Sequence, residues 1–321
     1  MSNISSVTVD ERAYPLSKPY KLSFVNLCEF QTIRVTISLK NGESRVAEVV
    51  PLEGYSDESY VNVLSRLKEQ AENIVGLSLE VARKETLCSL KDKPFSATGL
   101  LTAIDLFNFQ PIAKIEADNL HTLIPFSTSQ LLSNEIKQDW FSQGKTYKLK
   151  LSGDLCEDRR SLAKLNFLTN IDCSIRVDAN QAYKFDQAQL LLEDFQKNIA
   201  GTKVEYFEQL LDSEDWDGQK ELVSIFPNTE FMLDEPIVDF TSIDKARSIG
   251  VNYVKLKLYK QGGIIELIAH AEYANQNGLK VILGNGVATW PSNQVELSVY
   301  AENRSWFSGV HEANGYIKVL S

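Results

Sequence analysis

The chain has 321 residues with 43% hydrophobic and 24% charged content, ordinary for a globular protein and too long for one small core. Its formal net charge of −10 argues against nucleic acid as a partner, and no run of about 18 apolar residues offers a transmembrane helix. Cys28, Cys88, Cys156 and Cys173 are scattered without a CxxC pair and read as buried or partly buried free thiols. The opening Met1-Ser2-Asn3-Ile4-Ser5-Ser6 lacks the basic and apolar regions of a signal peptide, so a cytoplasmic location is expected.

Residues 1 to about 115 read as an α+β unit. The alternation over 33–39 predicts an antiparallel strand, and 45–50 is its return. Lys40-Asn41-Gly42-Glu43 joins them as a hairpin turn, because Asn-Gly readily takes the positive φ that tight turns require. Apolar residues at helical spacing (Val61, Val63, Leu64, Leu67) predict a helix over 57–74 with Ser56 as its N-cap. Further helices are expected at 80–90 and 97–107.

From about residue 120 the pattern becomes strand, helix, strand, helix. Strands are expected at 123–127, 147–151, 174–178, 204–208, 230–234, 253–258, 280–283 and 306–310. Helical patterns lie between them, for example at 186–198, 216–226, 243–248 and 264–277. Alternating units of this length make parallel sheets with right-handed crossovers. Eight of them close into a (β/α)8 barrel, so 116–321 is expected to be that barrel, with its active site at the C-terminal strand ends.

Three of the strands end in acids. Asp178 closes Ser174-Ile175-Arg176-Val177-Asp178, Glu208 follows 30 residues on, and Asp234 a further 26. One such acid is ordinarily a helix cap, but three at successive strand exits can converge and hold a hard cation. Two flanking strands carry lysines where apolar residues belong: Tyr147-Lys148-Leu149-Lys150-Leu151 and Val254-Lys255-Leu256-Lys257-Leu258. One Lys-Leu-Lys alone would be an edge strand with a solvated face. Here the order is Lys, Asp, Glu, Asp, Lys, which sets lysines against each other across the acids.

The order and wording of these motifs resemble the enolase superfamily, in particular its muconate-lactonizing branch, over nearly the whole chain. Pro15-Leu16-Ser17-Lys18-Pro19 and Ala47-Glu48-Val49-Val50-Pro51-Leu52 look like that family's N-terminal capping domain. Residues 96–105 look like the helix leading into its barrel. The resemblance implies that 1–115 caps the C-terminal face of the barrel and that Asp178, Glu208 and Asp234 are Mg²⁺ ligands. It sets Lys150 and Lys257 on opposite sides of the substrate, either as acid and base in turn or as one base with the other lysine holding the enolate by charge, with Lys148 holding a substrate oxygen or tuning Lys150. Asn180 matches the family's Asp-x-Asn, and Glu235, beside Asp234, is expected to point the other way and either support the later lysine or cap a helix. Gly284-Asn285-Gly286 reads as a tight turn that lets backbone approach the ligand, with Asn285 and Gly286 as supporting residues.

The implied chemistry is proton abstraction next to the carboxylate of a small substrate through a metal-stabilised enediolate, a pairing of Lys with Mg²⁺ already general for this superfamily. The reaction favoured from sequence is a dehydration like that of o-succinylbenzoate synthase, a lyase. The Asp-x-Asp of dipeptide epimerases is not evident in Ser308-Gly309-Val310-His311-Glu312-Ala313-Asn314-Gly315. The alternatives are a racemase or epimerase of N-acyl amino acids or dipeptides, a cycloisomerase, or a non-catalytic barrel that kept the fold. No membrane or nucleic-acid partner is expected, and a homo-oligomer is left open.

Overall fold

The structure is a computed structural model that describes residues 2–21, 25–54, 57–112, 123–198, 204–284 and 286–320. The first unit is a three-stranded antiparallel meander of β1 (Ile4–Lys21), β2 (Asn26–Leu39) and β3 (Ser44–Val49). The hairpin between β2 and β3 pairs Ser38 with Ser44 and places Gly42 at φ 90°. Strand β1 contains Pro15 and Pro19, which lack the amide a central strand needs, and it sits at the sheet edge.

Three helices follow: α1 (Tyr60–Ile74), α2 (Leu79–Ser89) and α3 (Pro94–Asp105). The Ser59 hydroxyl accepts the Asn62 amide and caps α1; Ser56, the cap expected from sequence, lies outside the described residues. Helix α3 has no side-chain cap from Lys93. Its first amides and the Ser96 hydroxyl donate instead to the buried carboxylate of Glu58, with Phe95 N at 2.7 Å. Every residue of α3 from Phe95 to Asp105 is buried, so this helix is the wall between sheet and barrel.

The second unit is a (β/α)8-type barrel. Its parallel strands β4 (Ile124–Ser127), β5 (Thr146–Lys150), β6 (Ser174–Asp178), β7 (Val204–Glu208), β8 (Phe231–Leu233), β9 (Tyr253–Leu256) and β10 (Lys280–Leu283) run side by side in chain order. The helices are α4 (Thr128–Leu132), α5 (Leu155–Lys164), α6 (Phe185–Asn198), α7 (Trp216–Ile225), α8 (Phe240–Ser248), α9 (Leu258–Gln261), α10 (Ile264–Gln276) and α11 (Trp290–Glu302). The period of two along each strand sorts the residues. Leu149, Val177, Phe207, Leu233, Val254 and Leu283 join the apolar core shared with the helices. Tyr206, Met232, Tyr253 and Ile282 form a separate cluster, and the acids and lysines share their face.

The strand expected at 306–310 does not form. The chain makes a 3-10 turn at Arg304–Trp306, then lies against β10 through two backbone bonds, Ser308 N to Val281 O at 2.7 Å and Glu312 N to Leu283 O at 2.8 Å. Gly309 breaks the extension with φ 63°. A Cβ there would stand 3.1 Å from both Arg176 Nη2 and Glu205 Oε1. Cys28, Cys88 and Cys156 are exposed, contrary to the sequence expectation, and only Cys173 of the four is buried. Among the described residues no helix is long and apolar enough to cross a membrane.

The sheet of the first unit reaches the C-terminal mouth of the barrel: Tyr20 lines the cavity there, and Leu16 bridges to Val319. The expected boundary near residue 115 falls outside the described residues. Glu48 fastens the two parts. Its buried carboxylate accepts from Tyr14 Oη and Arg34 Nε, both at 2.8 Å, and from Thr289 Oγ1 at 2.5 Å on the barrel side. Glu48→Ala removes the acceptor of three donors and is expected to cost about 2–3 kcal/mol, with Glu48→Gln costing less. Urea midpoints of the three proteins check this; an unchanged midpoint for Glu48→Ala would remove the contact from what fastens the cap.

Candidate active site

Inward-pointing side chains at the strand exits enclose a cavity of about 150 Å³. Register fixes their order. Lys150 of β5 is level with Asp178 of β6, and Asp178 is level with Glu208 of β7. Glu208 pairs with Met232 of β8, so Asp234 stands one inward step further along. Lys257 immediately follows β9, beyond Lys255 on the same side. Lys150 and Lys257 are therefore separated by the three acid-bearing strands, and all five residues line the one cavity.

The acids are paired. Lys148 Nζ reaches Asp178 Oδ2 at 2.9 Å, Glu208 Oε2 at 2.8 Å and Glu312 Oε2 at 3.1 Å. Lys255 Nζ holds Glu208 Oε1 at 2.5 Å and Glu312 Oε2 at 2.9 Å. Arg176, fully buried, reaches Glu312 Oε1 at 3.1 Å and Glu205 Oε2 at 2.8 Å, with the Tyr206 ring 5.2 Å below it. Lys257 Nζ lies 2.6 Å from Asp234 Oδ2; Lys260 Nζ donates to Asp234 Oδ1 at 2.9 Å, to the Asp234 carbonyl and to Lys255 O. A charge this deep persists only when paired.

The pairing decides protonation. Burial works to raise the Asp178 carboxyl, but Lys148, Lys150 and Lys255 bring it below its ordinary value; Asp234 and Glu312 are held well below theirs in the same way. Glu208 goes up, through burial and the charge of Asp178. Burial would lower Lys148, yet Asp178, Glu208 and Glu312 keep it well above the usual lysine range, so it stays an ammonium. Lys260 falls to about 8, chiefly through burial. Glu235 rises to about 7, through burial and Asp234, and its Oε2 has no hydrogen-bond partner among the described residues.

Residues 133–315 match the family described as Enolase C-terminal domain-like, more than half of the chain. The chain belongs to the enolase superfamily. Within it, an L-amino acid-D/L-Glu epimerase of Sulfurimonas denitrificans is 21% identical over 304 residues, covering 88% of this chain and 84% of that protein. The structure of a substrate-liganded L-Ala-D/L-Glu epimerase from Bacillus subtilis superposes with a TM-score of 0.83 at 18% identity, covering 99% of this chain and 92% of that one. A dipeptide epimerase from Cytophaga hutchinsonii, complexed with Mg and the dipeptide D-Ala-L-Val, gives 0.84 at 14% identity, covering 100% and 89%. These relatives of the superfamily are isomerases.

The superfamily implies a metal, so the donors matter. Among the described residues the cavity offers carboxylates and no thiol or imidazole, a set suited to a hard, oxygen-seeking dication. Among the described residues no three of them gather into a cage, because each is turned onto lysine. The acids sit at adjacent exits with positive charge already supplied by Lys148, Lys255 and Lys257, and Glu235 keeps an unpartnered oxygen beside them. The residues fit such an ion by type and position.

Several expectations need correcting. Glu235 lines the cavity beside Asp234 instead of turning away. Lys148 lies among three carboxylates, Asp178, Glu208 and Glu312, and lines the cavity. Gly286 lines a smaller neighbouring cavity, where a Cβ would stand 2.6 Å from Tyr259 Cδ1. Asn285 lies outside the described residues. Asn180 does line the mouth, in a left-handed conformation (φ 45°), and its amide donates to Asp178 Oδ1 at 3.1 Å. Tyr20 comes from the 16–24 segment expected to close over the mouth, whereas sequence reasoning missed Arg176, Lys260, Glu312, Asn314 and Lys318. The signal for two of them was present: Glu312-Ala313-Asn314 stands where an Asp-x-Asp was sought, and both polar residues line the cavity.

Beneath Lys257, Glu296 of α11 accepts from Asn293 Nδ2 at 2.6 Å, and burial pushes it from the ordinary 4.5 to about 7. A carboxyl raised in the folded state contributes stability below its unfolded pKa and loses it as pH rises through the folded one. Stability of the wild type should fall between about pH 4.5 and 7 relative to Glu296→Gln, by about 2–3 kcal/mol across that window. Urea unfolding of both proteins at pH 4.5 and 8 measures it; a constant difference would rule out this proton.

Proposed function

We propose that this chain is a Mg²⁺-dependent isomerase that inverts the α-carbon of an N-acyl amino acid or dipeptide-like carboxylate. The observation that carries this is the placement of Lys150 and Lys257 on opposite sides of the three strand-end acids, in one cavity. The kinship with epimerases favours isomerisation over the dehydration expected from sequence.

The two lysines do the proton chemistry. Inversion in one direction carries the α-proton to Lys150 on one face and returns a proton from Lys257 on the other; the reverse direction exchanges the roles. Lys257 begins against Asp234, so it begins as an ammonium able to donate. Lys150 has no carboxylate within ion-pair distance among the described residues. Lys148, held by three acids, is a fixed positive charge and not a base. Asp178, Glu208 and Asp234 would hold the Mg²⁺, which supplies electrostatic stabilisation for negative charge building on the substrate carboxylate. Asn180 fixes Asp178, and Lys260 fixes Asp234. Tyr20 walls the cavity from the cap side.

The test is α-deuterium exchange in D₂O, followed by NMR, with both enantiomers of N-acyl amino acids and dipeptides. Lys150→Ala should stop exchange of one isomer and Lys257→Ala that of the other, each by about 10²–10⁴-fold. Chelation should abolish exchange, and Mg²⁺ should restore it. Exchange that survives in the double variant would overturn the proposal; loss of water without formation of the opposite isomer would return the assignment to a lyase.

A further inference from the structure

Glu208 carries two ammonium groups. Lys148 Nζ lies 3.0 Å from its Oε1 and 2.8 Å from its Oε2, and Lys255 Nζ lies 2.5 Å from Oε1. Both lysines also reach Glu312. Its Oε2 stands 3.1 Å from Lys148 Nζ and 2.9 Å from Lys255 Nζ. Among the described residues Lys255 has no carboxylate besides these two within ion-pair distance, whereas Lys148 has Asp178 Oδ2 as well, at 2.9 Å. All of these side chains are buried.

A buried ammonium takes whatever carboxylate oxygens are within reach, because its charge cannot be left without a partner. Lys148 and Lys255 therefore divide themselves between Glu208 and Glu312. A Glu208 lone pair given to lysine is one that a hard cation must win back, since both seek the same oxygens. Whatever share Glu312 takes leaves Glu208 freer to act as a ligand. Glu312 is fixed for that task. Its Oε1 accepts from Arg176 Nη1 at 3.1 Å and from Tyr206 Oη at 3.3 Å, and its amide donates to Leu283 O at 2.8 Å. Arg176 in turn is held by Glu205 Oε2 at 2.8 Å and Val310 O at 2.9 Å.

We propose that Glu312 is a positioning residue for the metal: by drawing Lys148 and Lys255 away from Glu208 it sets the affinity for Mg²⁺, with Lys255 as the ion's competitor. This rests on the reading of Asp178, Glu208 and Asp234 as the metal's ligands. It goes beyond that reading in placing control of the affinity on two residues outside the ligand set.

The test is calorimetric titration of the chelator-treated full chain with Mg²⁺, without substrate, alongside thermal unfolding of each variant. Glu312→Gln leaves both ammonium groups to Glu208 and should weaken binding about tenfold or more. Lys255→Met frees Glu208 Oε1 and should bind Mg²⁺ at least as tightly as the wild type. The double variant Glu312→Gln, Lys255→Met removes one charge of each sign and should return to within about threefold of the wild type. A residue that only supports the fold would not be rescued by loss of its partner. Wild-type affinity in Glu312→Gln, or a loss that Lys255→Met does not rescue, overturns the proposal. If Glu312→Gln fails to fold, Lys255→Met decides: weaker binding there makes Lys255 a support of the site and overturns the proposal. A wild type that takes up no Mg²⁺ refutes the metal reading and this proposal with it, whereas wild-type uptake unmoved by the variants refutes the proposal alone.

Discussion

Charge neutrality inside the barrel is the constraint on which the rest depends. Five carboxylates (Asp178, Glu205, Glu208, Asp234 and Glu312), four lysines (Lys148, Lys255, Lys257 and Lys260) and Arg176 meet across β5 to α9 and residue 312, nearly all removed from water. None would persist as a charge alone. Glu312 neutralises the surplus of Lys148, Lys255 and Arg176, which explains why an irregular eighth segment must still lie against β10 and deliver one acid. The aromatic layer below, with Tyr206 and Tyr253 4.8 Å apart, gives that lattice a dry floor. The price is low tolerance: removing one member strands its partners in a low-dielectric interior.

The cap depends on the barrel through the same economy of buried charge. Glu48 gathers donors from β1, β2 and the loop after β10, so the position of the sheet is tied to the loop that carries Gly284 and Gly286. Gly284 matters because a Cβ there would stand 2.6 Å from Lys255 Cγ and 2.9 Å from Lys257 Cγ. The bare backbone lets the lysine stems pass, and the cap settles over them.

The barrel was legible in the chain because burial on both faces and regular spacing leave strong marks: short apolar strands, acids at their exits and lysines two apart. Strand β1 was not, because Pro15, Pro19 and many polar residues disguise an 18-residue edge strand. The eighth unit misled for the opposite reason. Residues 306–310 look extended, but Gly309 turns them, and the segment's contribution is Glu312 just beyond. Glu235 was misassigned because strict alternation was carried past the end of β8 at Leu233, where the strand geometry no longer holds. Lys318 has no motif around it; only the folded turn against β1 brings it to the cavity.

That turn has a consequence for how the molecule assembles. Ser17 and Lys318 are 301 residues apart and meet only when the whole barrel between them is in place. The lysine–acid lattice across β5 to β9 closes over much shorter separations. Long-range closures come late, since the entropy of ordering the intervening chain must be met first. The contact between β1 and the last 3-10 turn is therefore expected among the last to close, and opening it would uncover the mouth while the acids stay in register.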